Sequence, residues 1–217
     1  MRCRYLLVCF SVSLSVLLGL SACSLPGARP QAIQYFVLEA PAPVISAAVV
    51  KADQPLLVLL LREAEASVFT QNPRLIYSRS PGTRAYYQYA LWTEPPPKRL
   101  HTLLRQRLLA SSRYAGVVPL GAGVQGDYQL NFRVLEFFHD AAPTPGMARV
   151  RLDAELVERG SARLIAQQAF AADVPLTSQD AAAAAVGLGQ ASSQTLDAML
   201  AWLARVQPNT VVTPQAR

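Results

Sequence analysis

Leu56-Leu57-Val58-Leu59-Leu60-Leu61 is apolar at every position, is introduced by Pro55 and gives way to Arg62 and Glu63. Six residues are too few for a helix of ordinary length and suit a strand. Successive side chains of a strand point to opposite faces, so this one is apolar on both. It is expected to be a buried central strand, with Leu56, Val58 and Leu60 on one face and Leu57, Leu59 and Leu61 on the other. The rest of the chain must cover both.

Downstream, 62–74 reads as a connection with a turn signal at Asn72-Pro73. The stretches 74–78 and 84–92 read as strands, and Ser80-Pro81-Gly82-Thr83 between them suits a hairpin loop. Upstream, Tyr35-Phe36-Val37-Leu38 is a short strand ended by Pro41 and Pro43, while 40–54 mixes small residues with proline and fits no period.

Two helices are expected. Thr93-Glu94-Pro95-Pro96-Pro97 stops a strand and starts a helix, because proline is tolerated in a first helical turn. Leu100, Leu103, Leu104 and Leu108 then form one stripe, and Lys98, Arg99, Arg105 and Arg107 are assigned to the solvated side. Thr177-Ser178-Gln179-Asp180 is a capping signal ahead of the alanine-rich 181–204, where Leu188, Ser192, Leu196, Met199 and Leu203 share a face.

Between the helices the period is two. Tyr128, Leu130, Phe132 and Val134 alternate with Gln129, Asn131 and Arg133; Val150, Leu152, Ala154 and Leu156 alternate with Arg149, Arg151, Asp153 and Glu155; a third strand spans 164–174. Short loops between them imply an antiparallel meander. The expected fold class is a two-layer α+β domain, a mostly antiparallel sheet covered on one face by two long helices. Near the central strand the other face is left with an apolar patch. Its candidate covers are the 40–54 segment, a second copy of the chain, or a partner protein.

The N-terminus supplies an address. Arg2 and Arg4 precede an apolar run from Leu6 to Leu20, too short to span a membrane comfortably, and Leu20-Ser21-Ala22 leads into Cys23. This is similar to a bacterial lipobox, which implies a leader at 1–22 and lipidation of Cys23 as the first mature residue. Pro26, Gly27 and Pro30 and the lack of apolar period make 23–34 the lipidated N-terminus and a linker, one domain is expected over 35–206, and the tail at 207–217, with Pro208 and Pro214, is expected to be disordered. Cys3 and Cys9 would leave with the leader, so no disulfide is expected. Removing Arg2 and Arg4 takes the formal charge from +6 to +4, and the basic residues are scattered. Nucleic-acid binding, which needs a clustered basic stripe, is not expected.

Signals for chemistry are thin. Gly121-Ala122-Gly123-Val124-Gln125-Gly126 spells the dinucleotide fingerprint, but that motif works by delivering a phosphate to a helix N-terminus, and the residues after Gly126 have the period of a strand. The glycines are read as a turn with positive φ. His101 and His139 are the sole histidines, with His139-Asp140 assigned to a solvated strand end. Neither a metal-ligand spacing nor a serine-nucleophile elbow occurs. Glu63 and Glu65 stand at alternate positions without a third group. No enzyme activity, cofactor or metal is expected.

Taken together, the lipobox, the Tyr35-Phe36-Val37-Leu38 strand, the middle segment (Arg74-Leu75-Ile76-Tyr77, Ser80-Pro81, Tyr86-Tyr87, Tyr89, Trp92-Thr93-Glu94-Pro95) and the closing alanine-rich helix resemble the ABC-type transport auxiliary lipoproteins. Gly82-Thr83 departs from a Tyr-Arg pair usual after Ser80-Pro81, and the proline run through Pro97 is longer than usual. The resemblance implies a non-enzymatic accessory of a lipid-transport system, with an ABC transporter and a periplasm-crossing MCE-domain protein as partners. Ser24 after the lipidated Cys23 implies sorting to the outer membrane. Two rival classes are a direct phospholipid carrier, which needs an acyl-chain cavity, and an outer-membrane assembly factor.

Overall fold

A computed structural model describes residues 31–41, 57–64 and 67–206. The expected leader, Cys23, Leu56, Glu65, the 42–54 segment and the 207–217 tail lie outside the described residues. In chain order the strands are β1 (Gln34–Phe36), β2 (Leu57–Glu63), β3 (Arg74–Ser78), β4 (Ala85–Trp92), β5 (Tyr114–Pro119), β6 (Tyr128–Asp140), β7 (Met147–Glu158) and β8 (Arg163–Pro175). The helices are α1 (Pro96–Ala110), between β4 and β5, and α2 (Ala181–Val206), after β8. No described helix is long and apolar enough to cross a membrane.

Strand β6 organises the sheet. Along one edge it pairs antiparallel with β7 over nearly its whole length, and β7 pairs antiparallel with β8, giving the expected meander. Its other edge is shared. Tyr128 to Phe132 receive β2 in parallel, and His139 and Asp140 receive β3 in parallel. The sheet therefore forks, with β5 parallel beyond β2 and, on the other branch, β4 antiparallel to β3 and β1 parallel to β4. The α+β class holds, but the sheet is mixed. Among the described residues four of the seven pairings are parallel, and each joins strands far apart in sequence, which no local pattern announces.

Both helices pack on one face, α1 over β2 and β5, α2 over β7 and β8. Leu100, Leu103, Leu104 and Leu108 are buried from α1, and Leu188, Ser192, Leu196, Met199 and Leu203 from α2, as their spacing requires. Each buried leucine contributes roughly 1.5–3 kcal/mol. Helix α2 is capped by Asp180, whose Oδ1 accepts the Ala183 N–H at 2.8 Å while Ser178 Oγ donates to its Oδ2 at 2.6 Å.

The central strand is covered by two different devices. Leu57, Leu59 and Leu61 join the helix-covered core. Leu60 points the other way and is buried there by the glycine loop, Gly126 lying against its side chain. The loop is a short crossover: β5 leaves the level of Leu61 and β6 enters at the level of Leu59, so 120–127 need only step back over β2. Asp127 pins the return, its Oδ2 accepting the Val58 N–H at 2.7 Å and its own N–H donating to Val58 O at 2.9 Å. Leu60 thus finds its cover in the chain's own glycine loop, whereas Val58 stays half-buried.

Candidate docking face

The helix-free face is built by the alternation of β6 and β7. From Tyr128 to Val134 the even residues of β6 face the helices; a bulge between Val134 and Glu136 then inserts Leu135, and from Phe137 the odd residues face them. This reverses the expectation for His139. It is fully buried on the helical side, not at a solvated strand end. Its Nδ1 lies 2.7 Å from Tyr87 Oη, and its Nε2, which has no hydrogen-bond partner, is sealed by Gly146. Burial pushes the Tyr87 phenol up to about 12 and holds the His139 imidazole below its ordinary value, against the pull of Asp140 and Asp180.

Opposite, the front face carries charge. Cross-strand register sets Arg62, Asn131 and Glu155 in one row and Arg133 with Asp153 in the next. These residues, with Ala64 and Phe132, line an open cleft of about 490 Å³. Further along β6, Arg84 lies 3.5 Å from Glu136 and places its guanidinium 3.6 Å over the Phe138 ring. Arg149 reaches Asp140 at 2.9 Å, and Arg151 reaches Asp173 at 2.8 Å. The hydrogen bond from Arg151 holds the Asp173 carboxyl below the usual carboxylate range. Between the two branches a second cleft of about 290 Å³ is lined by Phe69, Ile76, Leu135 and Phe137, with Arg84 and Glu136 at its side.

The other sequence candidates are dispersed. Glu63 ends β2, its carboxyl raised by burial. His101 is half-buried on α1 with its ring against Phe132, and burial lowers its pKa. Among the described residues no three His, Cys, Asp or Glu side chains gather as a metal site. Gly121 and Gly123 have φ of +96° and +73°, as a turn requires, and the loop runs into β6, so no helix N-terminus receives a phosphate.

Arg107 overturns its assignment to the solvated side of α1. It is buried between the helices, donating to Ala40 O and Pro41 O at 2.9 Å each and to Asp197 Oδ1 at 3.2 Å. The stripe of leucines gave no sign of it, because its acceptors lie on β1's exit and on α2. The front-face charges were visible as the polar half of two alternating strands, but their grouping into clefts depends on the fork.

This geometry defines a two-layer α+β domain with a helical back and a charged, open front. The chain belongs to the ABC-type transport auxiliary lipoprotein component family, whose model matches residues 36–200. Its fold is similar to the crystal structure of a DUF330-family protein from Xanthomonas campestris, 23% identical, with a TM-score of 0.67 over 78% of this chain and 94% of that one. It is also similar to an uncharacterised protein of known structure, 16% identical, with a TM-score of 0.59 over 80% of this chain and 99% of the other. No curated protein sequence matches the chain.

Proposed function

We propose that this protein is a non-enzymatic accessory of a lipid-transporting ABC system, anchored through Cys23 on the periplasmic side of the outer membrane. Its domain over 35–206 docks or stabilises a periplasm-spanning MCE-domain protein. Family membership supports the transport assignment. The observation that carries the docking role is the front face: Arg62, Arg133, Asp153 and Glu155 line one open cleft, and none is engaged in an ion pair among the described residues. Unpaired charges of both signs on a rigid sheet give orientation and partner choice more than raw affinity.

The test is photocrosslinking in intact cells from Arg133 and Glu155 on the front and from Gln106 on the exposed side of α1. Adducts with the MCE-domain protein from the front positions alone are expected. Adducts confined to Gln106, or an outer-membrane barrel as the sole product, would remove the docking reading in favour of the assembly factor. A phospholipid adduct from the cleft would favour the carrier.

A further inference from the structure

Strand β1 and the residues flanking it carry an exposed apolar row. Phe36, Leu38 and Ala40 point inward, the last two into the core; Ile33, Tyr35 and Val37 point outward and are 53%, 64% and 51% exposed. Three successive outward positions, Tyr35 in β1 with Ile33 and Val37 flanking it, being apolar and more than half exposed is unusual for a surface. The strand pairing extends the row sideways. Tyr35 sits beside Leu91 of β4, and Leu91 is opposite Arg74 of β3, so aromatic, aliphatic and cation follow one another across three strands of one face. Arg74 is exposed and has no acidic partner among the described residues; its guanidinium stands 5.3 Å from the Tyr86 ring. Glu39, exposed, marks the end of the row.

We propose that this front of the β1–β4–β3 branch rests on the surface of an anionic phospholipid bilayer. The proposal depends on the Cys23 anchor of the proposed function. The sequence between that anchor and the row decides the occupant: from Cys23 to Ile33 are ten residues, a reach of at most about 36 Å even fully extended. Among the described residues, β1 is the strand tied closest to the anchor. An aromatic with a polar tip, flanking aliphatics and an unpaired arginine are the groups that partition into a headgroup layer, the ring at the interface and the cation toward anionic phosphate. A protein partner would be met by the front cleft of β2, β6 and β7, where the other branch joins β6.

The measurement uses the acylated full-length lipoprotein on vesicles of phosphatidylethanolamine and phosphatidylglycerol. Cys23, thioether-linked, leaves no other thiol in the mature chain, so Tyr35→Cys, Val37→Cys and, as a control on exposed β8, Gln167→Cys can each carry a single environment-sensitive fluorophore. Labels at 35 and 37 are expected to shift to the blue and to be quenched by a nitroxide-bearing lipid, with the label at 167 unaffected. If labels at 35 and 37 behave as the one at 167 while intact mass shows acylated Cys23 and the protein sediments with the vesicles, the surface proposal is overturned and the anchor stands. An unacylated Cys23 removes the anchor and the surface with it. Protein adducts in place of lipid adducts from a photocrosslinker at position 35 in cells also overturn it.

Discussion

Arg107 of α1 and Asp197 of α2 face each other at 3.2 Å, and the same guanidinium holds the carbonyls of Ala40 and Pro41. One buried side chain therefore ties the exit of β1 to both helices. Replacing Arg107 by Ala strands the buried Ala40 carbonyl, whereas Pro41 O keeps the Ser193 hydroxyl as a donor and Asp197, 37% exposed, can rehydrate. Loss of one partner of a buried pair costs 3–5 kcal/mol, so a value at the low end, about 3 kcal/mol, is expected for Arg107→Ala. Asp197→Asn keeps an oxygen acceptor and should cost about 1 kcal/mol. Urea midpoints at unchanged slope measure both, and equal costs would contradict this account.

Gly189 lies in the middle of α2, where helix propensity alone makes Gly189→Ala stabilising by about 1 kcal/mol. The structure predicts the opposite sign. A methyl there would fall on the main-chain oxygen of Glu39, in the segment that Arg107 holds, and backbone does not yield as a side-chain tip does. Overpacking of this kind costs roughly 1–3 kcal/mol, a net loss of stability. A raised melting temperature for Gly189→Ala would show that the segment after β1 does not press on α2.

The two errors over His139 and Arg107 mark where sequence reading stops. In β7 the alternation from Arg149 to Leu156 runs unbroken, and every apolar member is buried as expected. In β6 the same period holds only as far as Val134, because Leu135 is an inserted bulge residue that shifts the phase, and its own sequence neighbourhood contains nothing to announce it. Arg107 next to a leucine stripe has the pattern of a solvated cation; its acceptors are 66, 67 and 90 residues away. Helices, hairpin and meander follow from local periodicity, whereas the fork at β6 follows from parallel pairings across the chain.

His139 gives a pH dependence with a definite sign. Burial lowers its folded pKa below the ordinary 6.5, so the unfolded chain takes up the proton first. Its contribution is complete above about pH 6.5 and is lost as pH falls through the folded value. Tyr87, Asp140 and Asp180 face the imidazole, and the two carboxylates moderate the effect without reversing it. His139→Gln can still bond the Tyr87 hydroxyl and should flatten the fall in urea midpoint below neutrality. A residual slope of the same sign is expected from His101, also lowered by burial. An unchanged slope in His139→Gln would assign the effect elsewhere. His139→Gln and His101→Gln are both expected to leave transport-linked function intact.

Anchoring is tested at Cys23 and Ser24, the first two mature residues of the proposed lipoprotein. Each buried methylene of an acyl chain contributes about 0.8 kcal/mol; one chain alone holds a protein marginally, and two or more hold it for practical purposes permanently. Cys23→Ala should therefore abolish acylation and with it the lipid anchor. Ser24→Asp should leave acylation intact and retain the protein at the inner membrane under the usual sorting rule. The pair separates anchoring from address: Cys23→Ala removes both, Ser24→Asp only the second. Membrane fractionation with intact mass on each variant decides it. An unmodified thiol on wild-type Cys23 would sink the anchor, whereas acylated Ser24→Asp protein found with the outer membrane would leave the anchor standing and remove Ser24 as the residue that sets its destination.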